Sequence, residues 1–267
     1  MKLIPKRSCV AAALLALLVP ATAWAAGPQT AQSAVATGLA IPIAGVPSSA
    51  PAIPARGRYV LVDAASAQLF MIENGRVVDS MRVIVGKPST ATPTIRSTIY
   101  YATLNPYWNV PVDLARTIIA PHVLQEGPSY LREKGYEVLT SFGDDAEVLP
   151  ADDVDWRAVA AGRETVYVRQ RPGPANSMGR MKFGFENSGG IYLHDTPKKE
   201  LFWESERNLS NGCVRLEDAP RLARWMLGRD PSVDSADPEQ HVPLRQAVHI
   251  VITYLDPAQQ TQIAALH

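Results

Sequence analysis

The chain has 267 residues, 26 of them basic and 26 acidic, and 46% of its side chains are hydrophobic. That length holds one sizeable domain, or one domain with an insertion. The even charge gives no electrostatic footprint for nucleic acid, yet leaves room for an anionic substrate held by one or two arginines.

Residues 1–25 have the layout of a secretory signal peptide: basic Lys2, Lys6 and Arg7, an apolar run from Cys9 to Val19 broken by Pro20, and an A-x-A site ending at Ala25. The run is shorter than the about 20 apolar residues that a bilayer span needs. An uncleaved inner-membrane anchor is the alternative. After cleavage no later stretch reads as a membrane span, and the expected location is the periplasm. Loss of the leader leaves 23 basic against 26 acidic residues. Residues 26–57, rich in Ala, Pro, Ser and Gly, read as a disordered tether.

The folded region is expected over 58–256. Alternating apolar residues with Asn74-Gly75 as a turn predict three antiparallel strands over 58–86. A further strand follows at 97–105, then a proline-bounded aromatic loop, "PYWNVP". Asp113 is placed to cap a helix to about Leu124, and Ser129 a short helix before Gly135. Residues 135–164 mix a strand-like stretch, an acidic loop and a short helix around Trp156, more an insertion than a core. Strand patterns return at 165–170, 179–185 and 190–195. A helix with Pro220 early and Gly228 near its end comes next, and "AVHIVITYL" closes the domain. Residues 257–267 are left as a tail. The fold class is mainly β with a few helices.

With Cys9 in the leader, Cys213 is the one cysteine of the mature chain, so no intrachain disulfide can form. In an oxidising compartment such a thiol points to an intermolecular bridge or to reactivity; the alternative is a buried, inert side chain. A nucleophilic cysteine needs a nearby base or a positive field. His122 falls in or beside a helix, His241 in a polar loop, and His267 is the last residue. His249 alternates within an apolar strand and reads as a core residue. His194 instead ends the strand "GIYLH", on the same face as Tyr192, with 18 residues between it and Cys213. Ser210-Asn211-Gly212 is turn chemistry, and the Gly212 and Cys213 N–H groups could serve an oxyanion. Arg215 either holds a substrate carboxylate or pairs with Glu217 or Asp218. One cysteine and one or two histidines fall short of a metal site, and no C-x-x-C or H-E-x-x-H is present.

The stretch "YLHDTPKKELFWESERNLSNGCVRLEDA" resembles the active-site signature of the L,D-transpeptidases of the YkuD type: a histidine, a spacer, then Ser/Thr-x-Gly-Cys-(Val/Ile)-Arg. The spacer from His194 to Ser210 is 15 residues. "MRVIVGKPSTATP", "NPYWNVP", "RQRPGPANSMGRMKF" and "IYLHDTP" are similar to the larger YcbB-like branch, so the resemblance spans roughly 58–256. It implies a β-sandwich-like catalytic domain with a capping insertion over about 121–178. Cys213 would be the nucleophile and His194 the base, oriented by the main-chain carbonyl of Asp195. Gly212 and Cys213 would form the oxyanion hole. Tyr192, Ser210, Asn211 and Arg215 would line the donor pocket. The implied partners are peptidoglycan stem peptides and carbapenem-type inhibitors, with no metal or organic cofactor, and the protein would work at the cell wall.

Two departures count. Many members carry histidine where this chain has Asn211, and YcbB-like members usually carry a separate peptidoglycan-binding module, whereas here the segment beyond the match is the tether. Hydrolysis of the same acyl-enzyme, as an L,D-carboxypeptidase, and attachment of a protein lysine to the wall are alternatives. So is a non-catalytic wall-binding scaffold.

Overall fold

The computed structural model of the chain describes residues 51–231 and 237–267. The expected leader, and the expected tether up to residue 50, lie outside the described residues. Nine strands form one sheet in the order β11 (Asn208–Ser210), β3 (Arg76–Gly86), β12 (Val214–Leu216), β10 (Leu193–His194), β9 (Met181–Phe185), β4 (Ile95–Leu104), β13 (Gln240–Thr253), β1 (Arg58–Asp63) and β2 (Gln68–Glu73). β2 also pairs with β3, so the sheet folds back on itself. The three antiparallel strands expected over 58–86 are present, with Asn74 and Gly75 both at positive φ in the turn.

Side-chain alternation decides what each face does. Val60, Val62, Met81, Val83, Phe183, Leu193, Val214 and Leu216 point inward to the main core. Leu222, Ala223 and Met226 of α5 (Ala219–Leu227) complete it. α5 starts on an Asp218 cap and ends on Gly228 in the left-handed region, as Pro220 and Gly228 lead one to expect. The outward residues between these apolar ones are free for other uses. On β1, β2 and β13 the outward Tyr59, Leu61, Ile72 and Val251 pack with Leu255 and Ile263.

That second cluster corrects the reading of 257–267 as a tail. Residues Pro257–Ala264 form α6, with a capping box between Asp256 and Gln259. Burial of a side chain such as Ile263 stabilises by about 1.5–3 kcal/mol, which is why the helix docks. The end of the tether docks as well: Ile53 packs on this cluster, and Gly57 exchanges hydrogen bonds with Asn74.

Between β4 and β9 the chain makes a long excursion with its own sheet, β5 (Trp108–Val110), β8 (Tyr167–Gln170), β6 (Tyr136–Leu139) and β7 (Val148–Leu149). Its own core includes Val110, Ile119, Val138, Trp156 and Val168. We call this unit the lid. It closes at the neck where Leu104 pairs with Met181 and the Asn105 N–H donates to the Arg180 carbonyl at 2.9 Å. It therefore spans 105–180, more than the insertion expected over 121–178.

Several local expectations need correction. Residues 108–110 form a strand inside the expected aromatic loop. The lid helix runs from Val112 to Glu126 as α1 (Val112–Leu114), a π segment (Ala115–Ile119) and α2 (Ala120–Glu126). Pro111 is its N-cap without a side-chain bond, and Asp113 lies in the first turn, 3.9 Å from Arg116. Ser129 opens α3 (Ser129–Glu133) as its first residue after Pro128. α4 (Trp156–Ala160) carries its cap on Asp155. β13 begins seven residues earlier than expected, with an irregularity between Pro243 and Val248 where proline interrupts the ladder. His241 thus lies in a strand, with Nδ1 3.0 Å from Thr103 Oγ1. His249 is exposed rather than in the core, with Nδ1 3.1 Å from Thr98 Oγ1.

Candidate active site

β10 and β12 run parallel, pairing Leu193 with Val214 and His194 with Arg215. The strand expected over 190–195 shortens to two residues. The Val214 N–H donates to the Tyr192 carbonyl at 3.0 Å and fixes the offset. Inward Leu193, Val214 and Leu216 anchor both strands in the core. Alternation then turns His194, Cys213 and Arg215 to the opposite, outward face, beneath the lid. All three line one cleft of about 320 Å³, roofed by Leu114, Ile118, Tyr130 and Tyr136 of the lid.

His194 is 4% exposed. Its Nδ1 lies 2.5 Å from the Asp195 carbonyl oxygen. A carbonyl can only accept, so Nδ1 carries the proton and Nε2 is left as a lone-pair base. Burial lowers the His194 pKa from 6.5 to about 4, against the raising effect of the Asp195 carbonyl. The imidazole is therefore neutral at physiological pH. Burial also pushes the Cys213 thiol up, partly countered by the Tyr192 N–H and by Arg215. The pair rests as neutral thiol and neutral imidazole, a form that suits proton transfer during attack rather than a standing thiolate. Cys213 is partly exposed, and its Sγ is 3.8 Å from the Gly190 carbonyl oxygen.

The Asp195 carboxylate has a separate duty. It accepts the Arg180 N–H at 2.9 Å and the Lys199 ammonium at 2.7 Å. Gly179, at φ +62°, passes so close that a Cβ there would sit 2.4 Å from Asp195 Oδ2. This bonding holds the 194–195 peptide in place.

The turn before the sulfur is built by Ser210, Thr92 and Gly212. Ser210 is 2% exposed; its Oγ donates to the Cys213 carbonyl at 2.6 Å and accepts the Gly212 N–H at 3.1 Å. Buried Thr92 donates to the Gly212 carbonyl at 2.8 Å and accepts the Gly86 N–H at 2.8 Å. Gly212 holds φ +120°, with Ile191 Cδ1 3.2 Å from where a Cβ would stand. The Ser210 hydroxyl is thus taken up by its own turn, although the residue borders the cleft. The Gly212 N–H, expected to serve an oxyanion, is bonded to Ser210. Among the described residues the Cys213 N–H has no hydrogen-bond partner, and it remains the donor next to the sulfur.

Asn211 is exposed at the cleft rim. Arg215 faces the cleft without a carboxylate partner among the described residues. Glu217 is taken by Arg82, at 3.0 Å from its Nε, and Asp218 caps α5 through the Arg221 N–H. Burial lowers the Arg215 pKa, yet a guanidinium stays charged at any physiological pH. Tyr192 does not line this cleft. Its ring lies instead toward β9, with the Lys182 ammonium 5.5 Å from the ring centroid.

The sequence reading missed His122, Lys198 and the apolar lid residues of the cleft. His122 pairs with Glu126 at 2.7 Å and stacks on Tyr130 at 4.9 Å. The spacing of Leu114, Ile118 and His122, four residues apart, was the available signal for one helix face. Among the described residues no three His, Cys, Asp or Glu side chains gather as a metal would require, and no helix is long and apolar enough to cross a membrane.

Comparison with known proteins gives the chain a family. Residues 57–241 match the family model described as the YkuD L,D-transpeptidase catalytic domain. A Haemophilus influenzae protein whose name assigns it to the L,D-transpeptidases is 34% identical over 175 residues, covering 66% of this chain and 35% of its own. The chain thus spans about a third of the length of that relative. Among solved structures, an L,D-transpeptidase from Mycobacterium smegmatis is 18% identical, with 74% of this chain and 59% of that one covered and a TM-score of 0.35. L,D-transpeptidase 3 from Mycobacterium tuberculosis is 15% identical, with 75% and 61% covered and a TM-score of 0.35. With the family model matched over most of the folded region, the chain belongs to the YkuD-type L,D-transpeptidase catalytic-domain family.

Proposed function

We propose that the protein is a peptidoglycan L,D-transpeptidase of the YcbB-like branch, exported to the periplasm, with Cys213 as nucleophile and His194 as base. The observation that carries this reading is the shared cleft. A thiol, an imidazole with its free nitrogen unprotonated, and a guanidinium without a carboxylate partner among the described residues line one cavity. The carboxylates of a stem tetrapeptide suit Arg215, with Lys198 lining the same cleft.

In the first step Cys213 Sγ attacks the carbonyl between the L-centre of the diamino acid and the terminal D-alanine. Its proton moves to His194 Nε2. The developing oxyanion is met by the Cys213 N–H. His194 then hands the proton to the departing D-alanine amine, and a thioester remains. An amine of a neighbouring stem attacks that thioester, the C–S bond breaks, and an amide cross-link forms. Water as acceptor gives a tripeptide instead, and a protein lysine gives wall attachment.

Two measurements test this. Intact mass after carbapenem treatment should rise by one inhibitor in wild type and stay unchanged in Cys213→Ala. Purified disaccharide tetrapeptide should yield cross-linked dimer. An unmodified wild type would remove the acyl-enzyme, and tripeptide without dimer would favour hydrolysis. A wall phenotype preserved in Cys213→Ala would favour a scaffold.

A further inference from the structure

A separate cavity of about 420 Å³ lies at the β11 edge of the sheet. Neither His194 nor Cys213 nor any residue of the lid lines it. Its walls are the turn at 64–67, the end of β3 with the loop as far as residue 91, residues 205–208, and Tyr254. Three polar side chains at this wall have no hydrogen-bond or ion-pair partner among the described residues: the Ser205 hydroxyl, the Glu206 carboxylate and the Asn208 amide. Arg207 is held at one end, where Nη2 donates to the Ser66 and Ala67 carbonyls at 3.1 and 3.2 Å. Its Nη1 makes only a long bond of 3.5 Å, to the Glu204 carbonyl, and no carboxylate pairs with it among the described residues. Tyr254 is 45% exposed, and its hydroxyl is engaged by the Thr92 carbonyl at 2.8 Å. What Tyr254 offers the cavity is its ring.

This set of groups has a chemical preference. Glu206 and Arg207 bring opposite charges to one wall, so the cavity has no net charge with which to select an anion or a cation. Amide, carboxylate and guanidinium are planar, and each can bond two neighbouring hydroxyls at once. An aromatic face is negative and receives the C–H edge of a saturated ring. A cavity of this size with an aromatic wall and a few convergent polar groups suits a small organic ring. A neutral, hydroxyl-rich ring meets all of these demands, and that is a saccharide. The same segment carries Trp203 two residues before Ser205. Trp203 is 76% exposed, with the Arg82 guanidinium 3.8 Å from its ring centroid. A second exposed ring on this segment suits a sugar polymer better than a single sugar.

We infer that this cavity is a saccharide subsite, and that it takes an amino-sugar unit of the peptidoglycan glycan strand. The choice of glycan rests on the transpeptidase reading. Asn208, Glu206 and Ser205 bond the ring hydroxyls and the N-acetyl group, and Tyr254 packs on the C–H face. Such a subsite gives the catalytic domain its own hold on the wall, independent of the bond-making cleft. The cavity also backs on the turn that sets Cys213. Thr92, which holds the Gly212 carbonyl, is bonded in turn to the Gly86 N–H and the Tyr254 hydroxyl. The variants that test the subsite therefore leave Tyr254 and Gly86 in place.

The probe is peptidoglycan glycan strands stripped of their stem peptides, titrated calorimetrically into the full chain carrying Cys213→Ala. Saturable binding is expected, weakened about fivefold by Asn208→Ala and about fivefold by Glu206→Ala, each of which removes one hydrogen-bonding side chain. If Asn208→Ala does not fold, Ser205→Ala and Glu206→Ala carry the test, since both residues are exposed and neither side chain has a partner among the described residues to lose. Absence of saturable binding would overturn the subsite. Binding that none of these variants weakens would overturn it too, because the strand would then sit elsewhere on the molecule. Carbapenem acylation of the wild type, followed by intact mass, keeps the two readings apart. A chain that is acylated and binds no glycan sinks the subsite alone. A chain that binds glycan through Asn208 and Glu206 and is not acylated keeps the subsite and sinks the transpeptidase reading.

Discussion

Burial of His194 makes a quantitative claim about acid stability. The imidazole titrates near 6.5 in an unfolded chain and at about 4 in the fold. Between these values the unfolded state binds more protons than the folded one, so stability rises with pH through that window and is lost as pH falls through it. A gap of about 2.5 units at roughly 1.4 kcal/mol each gives ~3 kcal/mol lost by about pH 4. His194→Asn removes the titrating ring. Urea unfolding at about pH 7.5 and about pH 4 should show wild type losing ~3 kcal/mol more than the variant, because acid effects of the carboxylates are common to both. Equal losses would refute the reasoning. If the variant does not fold, the Cε1 carbon–proton NMR signal of His194 in wild type decides: a ring that titrates near 6.5 is not the buried neutral base described here.

Three further predictions follow from the site. Asp195→Asn keeps the main-chain carbonyl behind His194, so carbapenem acylation should persist, while thermal denaturation shows a loss of only about 0.5–1 kcal/mol from the part-exposed Lys199 pair. Acylation that vanished in a folded Asp195→Asn protein would assign the orientation of His194 to the carboxylate. Gly212→Ala should cost about 1–3 kcal/mol in chemical denaturation, and it should slow acylation about tenfold or more, since it meets both an unfavourable φ and Ile191. Wild-type rates in this variant would show that the turn does not set the sulfur. Arg215→Met should raise the tetrapeptide KM about tenfold or more in a steady-state assay, with little change in melting temperature, because the guanidinium has no carboxylate partner among the described residues. A large stability loss with KM unchanged would make Arg215 structural.

Much of this was legible in the sequence because the relevant signals are local. Alternation and the Asn74-Gly75 turn expose β1 to β3, and Pro220 with Gly228 brackets α5. The stretch from His194 to Cys213 carries an imidazole and a thiol to one face. Other features depend on contacts between segments far apart in the chain. Whether Arg215 pairs with Glu217 depends on Arg82, which comes more than 130 residues earlier. The bonding of the Gly212 N–H depends on which way the Ser210 hydroxyl turns. The two-residue β10 and the docking of α6 follow from packing against strands that no nearby pattern announces. Tyr192 looked like a neighbour of His194 on the donor side, and alternation was right about the face. It could not say that the Tyr192 ring packs toward Lys182 of β9 and outside the cleft under the lid.

The neck between Leu104 and Met181 has a consequence for how such proteins diversify. β4 and β9 are hydrogen-bonded neighbours, so the whole lid is, in topological terms, an overgrown connection between two adjacent strands. It carries a hydrophobic nucleus of its own. An exchange of that connection for a shorter or differently shaped one would leave the strands bearing sulfur and imidazole in register. Selection of ligand size can therefore drift independently of bond-making, with one loop graft as the unit of change.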